Sequence, residues 1–198
     1  MSLSPNAVRA AWSDESFQEK DSAGFYIIAA AVLEPASLET ARDAMLQLRG
    51  RRAISKSHWT EMDRAGKERA VELVGSIANL HVVAIGSPVP AKKQERARSK
   101  CLRELVTQLH GFEVSQLYME AREGELNRRD VRTVQQARQY GLPKGTKFRI
   151  DHLPGGTEPL LWVADVVAGA CRAEQLGTGE FREALGDTVL DFEVATDC

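Results

Sequence analysis

Residues 9–35 read RAAWSDESFQEKDSAGFYIIAAAVLEP, and the fold turns on how this stretch is laid out. Ala7 to Ser13 and Phe25 to Leu33 are largely apolar, and between them stand the turn-type residues Asp14, Ser16, Asp21, Ser22 and Gly24. Two apolar runs parted by such residues predict two antiparallel strands joined by an exposed loop. Asp14 and Glu15 then fall at the mouth of the hairpin. Neighbouring carboxylates repel each other and lose solvation energy when covered, so either water or a cation must attend them.

Outward from the hairpin, helix and strand signals alternate. PASLETARDAMLQLRG (35–50) offers Ser37 as an N-cap, apolar positions at Leu38, Ala41, Met45 and Leu48, and Gly50 as a stop, which predicts a helix. AISKSHWTEM (53–62) predicts a strand or edge segment. A second helix follows in DRAGKERAVELVGSIANL (63–80), then a strand in HVVAIGSPVP (81–90), closed by two prolines. KKQERARSKCLRELVTQLHG (92–111) is helical, with Leu102, Leu105, Val106 and Leu109 on one face. FEVSQLYMEA (112–121) reads as a strand, RRDVRTVQQARQYG (128–141) as a helix, and KFRIDHL (147–153) as a strand. EPLLWVADVVAGACRAEQLG (158–177) is a long, mostly apolar helix, and the tail from about residue 178 is acidic. Early antiparallel strands followed by strands reached through helices predict an α/β fold, a mixed central sheet flanked by helices.

The 198 residues suit one domain, and the 43% apolar content supports a folded core. A formal net charge of -2 gives no global electrostatic case for nucleic acid, so the location of charge matters more than its total. Cys101, Cys171 and Cys198 form no CxxC pair, which argues against a disulfide framework or a cysteine zinc site and fits a reducing cytoplasm. The first residues lack a basic-then-apolar leader, and no run approaches the roughly 20 apolar residues of a membrane span. The expectation is a soluble cytoplasmic protein. No GxxxxGK[ST], GxGxxG or GxSxG motif supports a nucleotide-binding loop or a serine hydrolase.

Asp165 is the most informative residue, because PLLWVADVVAGAC (159–171) contains no other charged side chain. A carboxylate on a helix apolar almost all round is costly without a partner or a metal. Leu161, Trp162, Ala168 and Gly169 share its face, which should approach the sheet. Glu120 ends the strand FEVSQLYME, where sites of α/β sheets gather, and Asp14 ends the first strand in the same way. Three carboxylates from distant positions should converge at one sheet edge.

WSDESF at the end of an opening strand, LYMEAR at the end of a later one and LLWVADVVAGA on a late helix resemble the bacterial family catalogued as domain of unknown function 3800. The resemblance runs from about residue 8 to about residue 176, and the late helix is its most specific part. It implies an RNase H-like fold. It also implies that Asp14, Glu120 and Asp165 are the acidic residues of an RNase H-like site, with Glu15 as an additional metal ligand. Where the family's pattern has Gly after DES and Gln shortly before the helix Asp, this chain has Phe17 and Trp162.

Apart from that resemblance, clustered oxygen ligands without nearby Cys or His suit Mg²⁺ or Mn²⁺, and two such ions about 3.5–4 Å apart support phosphodiester hydrolysis. Lys56 and His58 are accessory candidates for phosphate binding or proton transfer. Asp151 and His152 follow the last of these strands and are either peripheral ligands or turn residues. His81 and His110 are expected at helix ends. Basic residues cluster too, and Arg96, Arg98 and Arg129 are the candidates for contacting nucleic-acid phosphates. The function expected is a divalent-metal-dependent nuclease or related phosphodiester hydrolase acting on RNA or DNA. The rival is a non-catalytic RNase H-like module that binds nucleic acid or protein.

Overall fold

A computed structural model describes residues 9–20, 24–50, 56, 58–77 and 79–198. In chain order the elements are β1 (Arg9–Gln18), β2 (Phe25–Leu33), α1 (Leu38–Arg49), α2 (Arg64–Ser76), β3 (Asn79–Ser87), α3 (Gln94–Gly111) and β4 (Val114–Glu120). They continue with α4 (Gly124–Tyr140), β5 (Arg149–Leu153), α5 (Leu160–Gln175), α6 (Glu180–Leu185) and β6 (Val189–Ala195). The six strands form one sheet in the order β5-β4-β1-β2-β3-β6. β1, β2 and β3 pair antiparallel, while β4 joins β1, β5 joins β4 and β6 joins β3 in parallel. The mixed, helix-flanked sheet expected from the sequence is what forms.

β2 sits in the middle and is buried at every position. Its period of two sorts the side chains: Phe25, Ile27, Ala29, Ala31 and Leu33 join the core beneath α1, α2, α5 and α6, while Tyr26, Ile28, Ala30 and Val32 join the core beneath α3 and α4. A strand covered on both faces reads as a continuous apolar run rather than an alternation. α5 lies across β1 and β2, and Leu160 to Ala164 and Val166 to Cys171 are all buried. Each fully buried Leu or Val there contributes about 1.5–3 kcal/mol of transfer free energy.

The structure departs from the sequence reading in several places. β1 does not stop at Ser13 but runs through Asp14 and Glu15, which pair with Ala29 and Ile28 of β2. The acids are not turn residues at a hairpin mouth, because each finds a cationic partner that lets the strand continue. In AISKSHWTEM, residues 53–55 and 57 lie outside the described residues, and Trp59–Glu61 is a 3₁₀ turn rather than a strand. The acidic tail carries α6 and β6, and Arg182 of α6 holds Asp191 of β6 at 2.7 Å. His81 lies inside β3, paired with Ala31 and Val189, and is fully buried rather than placed at a helix end. Burial pushes its imidazole down to about 3. Among the described residues, no helix is long and apolar enough to cross a membrane.

Candidate functional site

Asp14 and Glu15 are neighbours in sequence, but strand geometry sends them to opposite faces of the sheet. Asp14 follows Trp12 toward α5, and Glu15 follows Ser13 toward α3. On the α5 side, Ser13 of β1 pairs with Met119 of β4 in parallel register, so Asp14 and Glu120 leave adjacent strands side by side. Asp165 arrives from the middle of α5. The three carboxylates line one cavity of about 200 Å³, together with Lys56, His58 and Trp59. The expected convergence of β1, β4 and α5 therefore occurs where the parallel ladder of β1 and β4 ends, at the C-terminal end of β4.

Lys56 organises this cavity. Its ammonium donates to Asp14 Oδ2 at 2.7 Å and makes a short contact with Glu120 Oε2. Asp14 Oδ1 accepts the Glu15 backbone N–H at 2.8 Å. Asp165 Oδ2 accepts the backbone N–H of Trp59 at 2.8 Å. That turn can approach because Gly169 has no side chain: a Cβ there would lie 2.2 Å from the Trp59 ring. Gly155 does the same for Glu120, whose carboxylate occupies the space a Cβ would fill. The Gly155 carbonyl also accepts the Trp162 indole N–H at 2.7 Å, which ties the loop after β5 to α5.

The electrostatics are those of an acidic centre short of cations. Burial pushes the Asp14 carboxyl up to about 7, with Lys56 opposing and Asp165 and Glu120 adding to the rise. Asp165 is likewise raised by burial, against the pull of Lys56 and the Trp59 N–H, with Glu120 adding to the rise. Burial alone would lower the Lys56 ammonium, but Asp14 and Asp165 hold it up at about 12.

On the α3 side the charges are arranged differently. Glu15 accepts the Tyr26 hydroxyl at 2.6 Å and meets Arg98 at close range. Arg98 forms a two-pronged pair with Asp130 of α4, both contacts at 2.9 Å. Asp130 also faces Arg122 at 3.2 Å and His152 Nε2 at 3.2 Å. Burial alone would raise the Asp130 carboxyl, but His152, Arg98 and Arg122 outweigh it and hold it well below the usual carboxylate range.

Several expected site residues thus have other places or partners than the sequence reading assigned them. Glu15, expected as an additional metal ligand, lines the carboxylate cavity, but its carboxylate is taken up by Arg98 and Tyr26. Arg98, expected on a nucleic-acid surface, is 2% exposed and fully engaged by Asp130, Glu15 and Tyr26. His152 belongs to the Asp130 network, and Asp151 accepts the Gln116 amide at 2.9 Å; neither lines the carboxylate cavity. Arg96 and Arg129 are exposed and line a cavity of about 340 Å³ between α3 and α4. A small cavity lined by Asp14, Glu15, Arg98 and Glu120 lies between this one and the carboxylate centre, sharing residues with both.

The sequence reading missed Asp130 and Tyr26. A signal for them existed. Arg98 falls on the same helical face as Cys101, Leu102, Leu105 and Leu109, so a buried guanidinium needing a carboxylate was legible in the spacing.

A divalent ion fits the donor set in kind, since Asp14, Glu120 and Asp165 present hard carboxylate oxygens with no sulfur among them. Among the described residues, however, no group of three or more His, Cys, Asp or Glu side chains is gathered as a metal-ligand shell. The Lys56 ammonium stands between two of the carboxylates instead.

No protein-family model and no curated protein matches the chain, so the family resemblance rests on its motifs alone. Among solved structures the chain is similar to a chain of the PCNA:RNase HII complex from Archaeoglobus fulgidus, with a TM-score of 0.56 and 16% identity over 90% of this chain and 77% of that one. The fold is RNase H-like.

Proposed function

We propose that the chain is a divalent-metal-dependent phosphodiester hydrolase acting on nucleic acid, with Asp14, Glu120 and Asp165 as its working carboxylates. One observation carries this reading: three acids from β1, β4 and α5 line a single cavity where the parallel ladder of β1 and β4 ends, with more negative charge than Lys56 can balance. Such an excess is unfavourable in a folded protein, and a bound cation relieves it. The three carboxylates would hold Mg²⁺ or Mn²⁺, which when bound supplies an activated water and counter-charge for the leaving oxygen.

The chain's own groups do the positioning. The Trp59 N–H orients the Asp165 carboxylate, and the Glu15 N–H orients that of Asp14. His58, on the cavity wall, is the candidate to give a proton to the leaving oxygen. Arg96 and Arg129, exposed beside the neighbouring cavity, are the candidate phosphate contacts. The likeness to a chain of the PCNA:RNase HII complex supports the class of chemistry. The whole chain, 1–198, is read as one domain working in the cytoplasm.

A second reading, a non-catalytic binding module, is favoured by Lys56, which partly neutralises the centre without any metal. Cleavage assays separate the two. Wild type with Mg²⁺ or Mn²⁺ should cut at least one of single-stranded RNA, single-stranded DNA, duplex or hybrid, and Asp165→Asn should not. Absence of cleavage of all four with both metals would favour the binding module.

A further inference from the structure

Lys56 is 5% exposed, and its ammonium is held by Asp14 and Glu120 in the same cavity that Asp165 enters. A buried lysine is rare and costly unless paired, and here the pairing consumes the oxygens best placed to ligate a metal. Asp14 illustrates the conflict. Its Oδ1 accepts the Glu15 N–H and its Oδ2 accepts Lys56. A divalent ion on Oδ2 would sit about 2–2.6 Å from that oxygen, next to an ammonium already bonded to it, and two cations at that spacing repel strongly in a buried site.

We infer that Lys56 is a built-in counter-ion that competes with a divalent cation for Asp14 and Glu120, and that cation binding displaces its ammonium from between them. The inference rests on the metal reading above. It accounts for a cluster of carboxylates that converges without closing into a ligand shell: with the ammonium in place, the acids are arranged around a singly charged ion bound through hydrogen bonds. Removing the lysine leaves Asp14, Glu120 and Asp165 facing one another with nothing of opposite sign between them. Their joint demand for a cation then rises.

The test uses the full chain and Mn²⁺ alone. Calorimetry at one pH and ionic strength should show Lys56→Gln binding Mn²⁺ at least tenfold more tightly than wild type, and binding by the variant where wild type shows none counts the same way. In wild type, Lys56 should react slowly with an amine-acylating reagent and faster once Mn²⁺ saturates the site, as read by peptide mass spectrometry. This second measurement needs no variant, so it decides the matter if Lys56→Gln does not fold. Equal or weaker Mn²⁺ affinity in the variant, or unchanged Lys56 labelling in wild type that calorimetry shows to be saturated with Mn²⁺, overturns the competition while leaving a metal site intact. Binding by neither protein removes the metal reading, and the competition with it.

Discussion

Two charged clusters flank β1, and they are built on opposite plans. On the α3 side, Glu15, Asp130 and Glu95 meet Arg98, Arg122 and His152, and each carboxylate has a cation at hand. On the α5 side, Asp14 and Glu120 share one ammonium, and Asp165 in the same cavity accepts only the Trp59 N–H among the described residues. A network in which every carboxylate meets an arginine adds structure and asks for nothing more. An unbalanced one, reached by a cavity of about 200 Å³, is held in a state that an incoming cation would relieve. Position in the sheet alone does not separate the clusters, since Asp14 and Glu15 are adjacent residues of one strand.

The largest expected difference between them is in activity. Asp165→Asn keeps the shape and the packing but removes charge from the acidic side, and metal-dependent cleavage should fall by on the order of 10³-fold or more with the fold retained by circular dichroism. Asp14→Asn and Glu120→Gln should behave alike, and the double variant should lose little beyond either single one, because groups acting as a unit are not additive. Full activity in Asp165→Asn would erase the distinction between the clusters.

Stability should show the reverse pattern. Arg98→Met strips Asp130 and Glu15 of their shared cation and should cost about 3–5 kcal/mol in chemical denaturation, as breaking a buried pair does. A loss below about 1 kcal/mol would mean that Arg122 and His152 carry the network without it.

The pH dependences should differ in sign. Asp14 is raised, so the folded chain keeps its proton longer than the unfolded chain, and its contribution falls as pH rises from about 4 to about 7. Asp14→Asn should therefore gain on wild type across that window. Asp130 is depressed, so its contribution is present above its unfolded value, about 3.9, and is lost as pH falls through its folded value. The advantage of wild type over Asp130→Asn should shrink below about pH 4. Denaturation midpoints for both pairs from pH 3 to 8 check the signs. Variant-minus-wild-type differences cancel the acid lability from His81, whose depressed value removes stability below about pH 6.5.

The smallest effect belongs to the surface beside the clusters. Arg96→Glu with Arg129→Glu should weaken oligonucleotide binding and flatten its salt dependence by about one unit of slope for each phosphate no longer neutralised. Unchanged binding would assign these arginines to a solvated face.

The fold was largely legible because each layer left its own period. The continuous apolar run of β2 marked a strand covered on both sides, and the one charge within the apolar run 159–171 of α5 pointed to the carboxylate cavity. Two adjacent acids look like one motif in a sequence, whereas the pleat of a strand sends the Asp14 carboxylate to Lys56 and the Glu15 carboxylate to Arg98 and Tyr26. β6 was hidden by its composition: in the edge strand VLDFEVA only Val189 is buried, so its acids resemble a tail. Lys56 was visible as an accessory residue, but its place between two carboxylates depends on three segments far apart in the chain, and no local pattern encodes it.

The most direct test of the central claim is anomalous diffraction from crystals grown with millimolar Mn²⁺. The account predicts a manganese peak among the Asp14, Glu120 and Asp165 carboxylates, with the Lys56 ammonium moved out from between Asp14 and Glu120. A map with no peak there, and Lys56 still bridging the two acids, would contradict it.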